Sequence, residues 1–165
     1  MDKLFSKFWS WYERHYTLNV TVAAILFALQ LIHLYWLTTH VVLDKITGVG
    51  LWNPNELLQL LLIVVDYTEI PAIVTTSLVY INELRKRFTL KPCLYLFFLD
   101  IQLLHIFWIT DEFVVDTFTG IANGTILPLW LAWIAILIDY LELPVIFETL
   151  GKAMKEVKNK LTKLS

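Results

Sequence analysis

Residues 29–48 read LQLIHLYWLTTHVVLDKITG, and residues 101–120 read IQLLHIFWITDEFVVDTFTG. Set 72 positions apart, the two stretches share nine of twenty residues: Gln30/Gln102, Leu31/Leu103, His33/His105, Trp36/Trp108, Thr38/Thr110, Val42/Val114, Asp44/Asp116, Thr47/Thr119 and Gly48/Gly120. Further along, Asp66-Tyr67-Thr68-Glu69-Ile70-Pro71 meets Asp139-Tyr140-Leu141-Glu142-Leu143-Pro144 at an offset of 73. Leucines shared by two apolar segments mean little. Gln, His, Asp, Glu and Pro shared inside apolar runs mean much more, because ionisable groups at such positions are expensive. The chain reads as one helical hairpin used twice.

Outward from these stretches the chain is apolar almost throughout. Apolar residues make up 58% and charged residues 17%, with a mean hydropathy of +0.63; a soluble domain carries about a quarter charged residues. Four runs, 20–43, 55–80, 94–115 and 127–147, each hold enough apolar residues for a helix to cross a hydrocarbon core of about 30 Å. The expected fold is an all-α membrane protein, a four-transmembrane-helix bundle of two parallel-repeat hairpins. Repeats that start on the same side are related by an axis along the membrane normal.

Of the thirteen Lys and Arg residues, twelve fall in three places. Lys3, Lys7 and Arg14 precede the first run, Arg85, Lys86, Arg87 and Lys91 join the second to the third, and five lysines from Lys152 to Lys163 follow the fourth. Only Lys45 lies on the other side. By the positive-inside rule both termini and the middle loop are cytoplasmic. Phe5, Phe8, Trp9 and Tyr12 recur at helical spacing near the first basic group, and Leu150, Met154, Val157, Leu161 and Leu164 do so in the tail. Both ends therefore read as amphipathic interfacial helices, with partner binding as the other use of such a face. The segments are 1–18 (amphipathic), 19–84 (first repeat), 93–149 (second repeat) and 150–165 (amphipathic basic tail). The first 18 residues lack the small-residue cleavage site of a signal peptide. The single cysteine, Cys93, excludes disulfides and Cys-rich metal sites within the chain. No basic tract suits nucleic acid. The expected partners are the bilayer and a lipid or small-molecule substrate, with homo-oligomerisation left open.

Gln30, His33, Leu37, His40 and Asp44 follow a 3-4-3-4 spacing along one helix face, and Gln102, His105, Ile109, Glu112 and Asp116 repeat it. Gln59, Asp66, Glu69 and Thr76 share a face of the second helix, and Asp139, Glu142 and Thr149 a face of the fourth. At 1.5 Å per residue, His33 and Asp66 both lie about 15 Å from the outer end of their spans. Six residues thus converge near the midplane: His33, Asp66, Glu69, His105, Asp139 and Glu142. Four carboxylates without a Lys or Arg need protons, water or metal ions. Two divalent ions balance four carboxylates, and two imidazoles complete the set, leaving open coordination positions. Iron or manganese suits redox work and zinc suits hydrolysis. The donor set is similar to that of ferritin-like di-iron and di-manganese bundles. Their Glu-x-x-His motif is absent, so the likeness stops at the inventory.

Pro71 and Pro144 each remove the hydrogen bond to the carbonyl four residues earlier, at Tyr67 and Tyr140. Those two tyrosines are expected to donate hydrogen bonds to the carboxylates, and they stand with His40 and Glu112 as candidate proton donors or acceptors. Trp36 and Trp108 read as packing one turn above the histidines. Asp100 has no acidic counterpart and reads as a buried hydrogen-bonding group. Asn53, Pro54 and Glu56 read as the cap and first turn of the second helix, and Pro128 as the start of the fourth. Asn123-Gly124-Thr125 is a glycosylation sequon. The leading expectation is a membrane metalloenzyme, an oxidoreductase or hydrolase acting on a lipid-soluble or small substrate. A proton or cation pathway through the same core, a haem between His33 and His105 and an assembly subunit without chemistry are the competing readings.

Overall fold

The structure, a computed structural model, describes residues 2–52, 55–109 and 129–163. Within them all regular structure is helical. Helix α1 is Asp2–Arg14 and α2 is Tyr16–Trp36, which runs through a π-helical stretch, Leu37–Val42, into α3, Leu43–Thr47. Then come α4 (Glu56–Tyr67), α5 (Glu69–Lys86), α6 (Leu90–Ile109), α7 (Leu129–Tyr140) and α8 (Glu142–Thr162). Two of the resulting rods, Tyr16–Thr47 with 32 residues and Leu60–Lys86 with 27, are long and apolar enough to cross a membrane. At 1.5 Å per residue both exceed a hydrocarbon thickness of about 30 Å.

The two prolines set the most distinctive local geometry. Pro71 and Pro144 lack the N–H that an α-helix requires there, and their rings crowd the preceding turn. The rod breaks three residues earlier in each case, at Thr68 (φ −70°, ψ −11°) and at Leu141 (φ −69°, ψ −14°). Each break closes as a tighter turn: the N–H of Thr68 donates to the Val65 carbonyl at 2.9 Å, and that of Leu141 to the Ile138 carbonyl at 2.9 Å. The helix restarts at a glutamate both times, Glu69 for α5 and Glu142 for α8. A restart presents unpaired N–H groups and the positive end of a helix dipole, which favour an acid in the first turn.

Helix α2 packs along α5 and α8, α5 along α6, and α6 along α7. The core contains Phe27, Leu99, Ala72, Val145, Ile73, Ile146 and Tyr80. Burial follows the sequence alignment: Phe27/Leu99, Gln30/Gln102, His33/His105, Ile63/Ile136, Asp66/Asp139, Glu69/Glu142, Ala72/Val145, Ile73/Ile146 and Thr76/Thr149 are buried at both members of every pair.

Several sequence expectations change. The tail is not a separate element, because α8 continues unbroken from Glu142 to Thr162. Its inner face reaches Ala153, which packs with Val20 and Val79, while Met154, Val157 and Leu161 stay exposed. Helix α1 divides its aromatic face. Trp9 and Tyr12 are buried, with the Arg85 guanidinium 4.2 Å above the Trp9 ring, whereas Leu4, Phe5 and Trp11 are exposed. The cap of α4 is Asn55 rather than Asn53: Asn55 is extended (φ −70°, ψ 168°), and its Oδ1 accepts from the Leu58 N–H at 3.0 Å. Asp100 is exposed, not buried, because the inward face of α6 carries Leu99, Gln102 and His105. Asn53, Pro54, Glu112, Asp116, Pro128 and the sequon lie outside the described residues.

Candidate metal centre

Two histidines and four acids converge where α2, α5, α6 and α8 meet the ends of α4 and α7. His33, Asp66, Glu69, His105, Asp139 and Glu142 are all buried, none more than 8% exposed. The apolar faces of α2 and α6 bring the histidines inward, and the two proline breaks set Asp66/Glu69 and Asp139/Glu142 on either side of a turn.

The geometry has a centre, and it is Asp139. His105 Nδ1 lies 3.0 Å from Asp139 Oδ1, and His33 Nε2 lies 3.7 Å from Asp139 Oδ2. The two imidazole rings are 5.9 Å apart at 65°. One donor atom from each of His33, His105 and Asp139 falls within 4.8 Å of the other two. Donors about 2.1 Å from a tetrahedral ion stand about 3.4 Å apart, so modest side-chain rotation closes this trio around one ion. Asp66 has a different place. Its Oδ1 contacts His33 Nδ1, the nitrogen turned away from Asp139. A carboxylate holding the far N–H of an imidazole is the arrangement that fixes the tautomer and orientation of a metal-binding histidine.

Glu69 and Glu142 open α5 and α8 and are both buried, 4% and 3% exposed. Beside them a void of about 10 Å³, lined by Asp66, Tyr67, Glu69 and Ile106, has room for one water. Among the described residues the cations that pair with acids do so elsewhere: Arg85 and Lys86 with Glu13, Lys91 with Glu148, and Lys152 with Glu83 and Glu148.

The glutamines have a role that the sequence reading missed. Gln30 Nε2 donates to the Val65 carbonyl at 3.2 Å and to Thr68 Oγ1 at 3.1 Å. Gln102 Nε2 donates to the Ile138 carbonyl at 2.8 Å. Val65 and Ile138 are equivalent positions at the two breaks, so the repeated glutamine serves the carbonyls that a broken helix leaves under-bonded. The signal was present: a Gln repeated at the offset of the histidines, opposite a repeated proline.

The remaining candidates lie around this cluster. Tyr140 pairs its hydroxyl with that of Thr38 at 2.6 Å, so the expected bond from Tyr140 to a carboxylate is replaced by a bond to α2's π-helical extension. Tyr67 lines the small void. Trp36 packs on His33 with ring centroids 5.9 Å apart. His40 lies in the π-helical stretch, stacked on Trp36 at 5.9 Å and 25°. The wider π turn ends the 3-4-3-4 register that the sequence implied beyond Leu37. His40 is half-buried, with its Nδ1 lacking a hydrogen-bond partner among the described residues, and Asp44 is exposed. Gly50 closes over His40, where a Cβ would stand 3.0 Å from Nδ1.

On the opposite side the bundle is tightly filled. Thr76 and Thr149 are fully buried, the Tyr80 hydroxyl bonds Thr149 Oγ1 at 3.1 Å, and the Lys152 ammonium lies 4.2 Å over the Tyr80 ring. Comparison with protein families, with characterised proteins and with solved structures found no match to this chain.

Proposed function

We propose that this chain is a four-span membrane protein, one helical hairpin used twice with both termini in the cytoplasm, and that it holds a metal centre at mid-membrane depth. The convergence of His33, His105 and Asp139 within 4.8 Å carries the reading. One ion takes His33 Nε2, His105 and Asp139, with Asp66 orienting His33 through Nδ1. The second ion of a di-metal centre falls to Glu69 and Glu142, whose charge it balances. Three protein donors on the first ion leave a position for substrate or water, as catalytic rather than structural sites do. Iron or manganese there supports redox chemistry and zinc supports hydrolysis. The depth favours a lipid or another small apolar substrate, with His40 and Glu112 on the outer side as proton donors or acceptors.

The paired burial, the two proline breaks and the twin glutamine bonds support the repeated hairpin. The distribution of Lys and Arg supports the orientation. A through-path for protons or cations is less well supported, because Tyr80, Thr76 and Thr149 fill the inner half. A haem between the histidines is less well supported still, because Asp139 stands between the rings.

The test is metal content by mass spectrometry of protein purified in detergent without chelator, beside the Asp139→Asn variant. One or two equivalents of a single transition metal, lost in the variant while the fold is kept, is the expected result. A folded wild-type protein without metal overturns the reading and points to proton flux in liposomes instead.

A further inference from the structure

A second candidate site lies at the other end of the molecule, where α1 turns into α2 at His15 and the last turns of α8 pass alongside. The basic residues at this end divide into two groups. Arg85 and Lys86 lie 3.9 and 3.8 Å from Glu13, Lys91 lies 2.8 Å from Glu148, and Lys152 lies 2.8 Å from Glu83. Arg14, Lys160 and Lys163 form no ion pair among the described residues. These three converge with His15 on one open cavity of about 430 Å³. A single acid, Glu156, lines it with them. Three cations and one acid leave a net charge of +2 with His15 neutral.

We propose that this cavity holds the phosphate of an anionic lipid headgroup. Arg14 offers a planar fork of donors that suits phosphate oxygens, and the two ammonium groups add point charges. Helix dipoles favour both Lys160 in the last turn of α8 and Arg14 in the last turn of α1, but they do not explain why both, with His15 and Lys163, line one space. A lipid fits better than free phosphate because one wall is apolar. Leu18 lines the cavity, is 60% exposed, and continues along α2 into the exposed Val22 and Ile25. An acyl chain under the headgroup covers that strip. The inference rests on the membrane-spanning part of the reading above, with this end on the side where anionic lipids concentrate, and is independent of the metal centre.

Native mass spectrometry of the full chain, in neutral micelles doped with phosphatidylglycerol or with phosphatidylcholine, tests it. The triple variant Arg14→Gln/Lys160→Gln/Lys163→Gln is set against Lys7→Gln/Lys155→Gln/Lys158→Gln, which removes the same charge from exposed positions outside the cavity. General attraction to an anionic surface falls equally in both variants, but only the cavity variant also loses convergent charge-assisted hydrogen bonds to the phosphate, so it loses phosphatidylglycerol binding by at least about tenfold more than the control. Wild type prefers phosphatidylglycerol to phosphatidylcholine, and millimolar inorganic phosphate does not displace it. Equal losses in the two triple variants, no preference between the lipids, or full displacement by inorganic phosphate each overturns the proposal. Washing membranes with alkaline carbonate separates this from the wider reading: release of the chain defeats the membrane assignment, and retention without lipid preference defeats the cavity alone.

Discussion

The two aligned stretches bury the same residues and pair them differently. His33 touches carboxylates from both halves, Asp66 through Nδ1 and Asp139 toward Nε2, while His105 faces the aspartate of its own half at 3.0 Å. Asp139 is therefore the point where the halves meet, and Asp66 stands behind His33. The glutamines differ too. Gln30 reaches both the Val65 carbonyl and the Thr68 hydroxyl, but Leu141 replaces that threonine in the second stretch, and among the described residues Gln102 reaches the Ile138 carbonyl alone. The proposed repeat thus offers matched donor groups, and small departures from symmetry give them unequal contacts.

The largest expected effect comes from breaking that inequality at the aspartates. With the proposed metal centre, Asp139→Asn, which removes the carboxylate next to both imidazoles, should abolish metal retention. Asp66→Asn leaves the trio in place and weakens binding by about 10- to 100-fold, as loss of an orienting partner does. Metal titration of the two variants under one competing chelator checks this. Equal affinities in the two would mean that the centre is symmetric, with Asp66 a ligand in its own right.

A smaller effect is expected at the glutamines. The Val65 carbonyl also accepts from the Thr68 hydroxyl at 2.6 Å, whereas the buried Ile138 carbonyl has the Leu141 N–H and Gln102. Leaving a buried polar group under-bonded costs about 1–3 kcal/mol. Gln102→Leu should fall in that range, and Gln30→Leu should cost about 1 kcal/mol or less. Unfolding in mixed micelles gives both numbers, and a larger loss at Gln30 would reverse the comparison.

Much of this architecture was legible in the sequence, and the reasons are physical. Polar residues repeated in apolar runs are too costly to be incidental, so His33/His105, Asp66/Asp139 and Glu69/Glu142 announced a shared buried cluster. The prolines announced the helix breaks because a missing N–H has one consequence in a rod. What was not legible depended on rotation about helix axes. Composition cannot say that Asp100 faces outward from α6, or that Tyr140 turns to Thr38. Nor does a heptad-like spacing reveal the π-helical stretch, since insertion of a wider turn leaves no mark on residue type and moves His40 off the line of His33 and Leu37. The continuity of α8 into the tail was hidden for another reason: an amphipathic pattern looks the same whether the helix lies on a membrane or prolongs a span.

The smallest expected effect concerns the end of the bundle, where ion pairs tie α5 and α6 to α8. Lys91, in the first turn of α6, lies 2.8 Å from Glu148 on α8, and Lys152 lies 3.6 Å from the same carboxyl. The hydrogen bond from Lys91 comes first among the causes that hold the Glu148 carboxyl below its ordinary value of 4.5, and burial opposes it. A carboxyl whose folded value is depressed contributes stability that is complete above its unfolded value. That stability is lost as pH falls through the folded one. The pair is largely exposed, so its worth is about 0.2–1 kcal/mol. Glu148→Gln should therefore lower stability slightly at neutral pH and by less as pH falls below 4.5, narrowing the gap to wild type as acid is added. The first half offers the control: Glu83 meets Lys152 at 2.8 Å, so Glu83→Gln removes an ion pair without touching Lys91. If the two variants trace the same pH curve, the Lys91 bond adds nothing specific. If only Glu148→Gln converges on wild type in acid, that bond is what ties the start of the second half to its end.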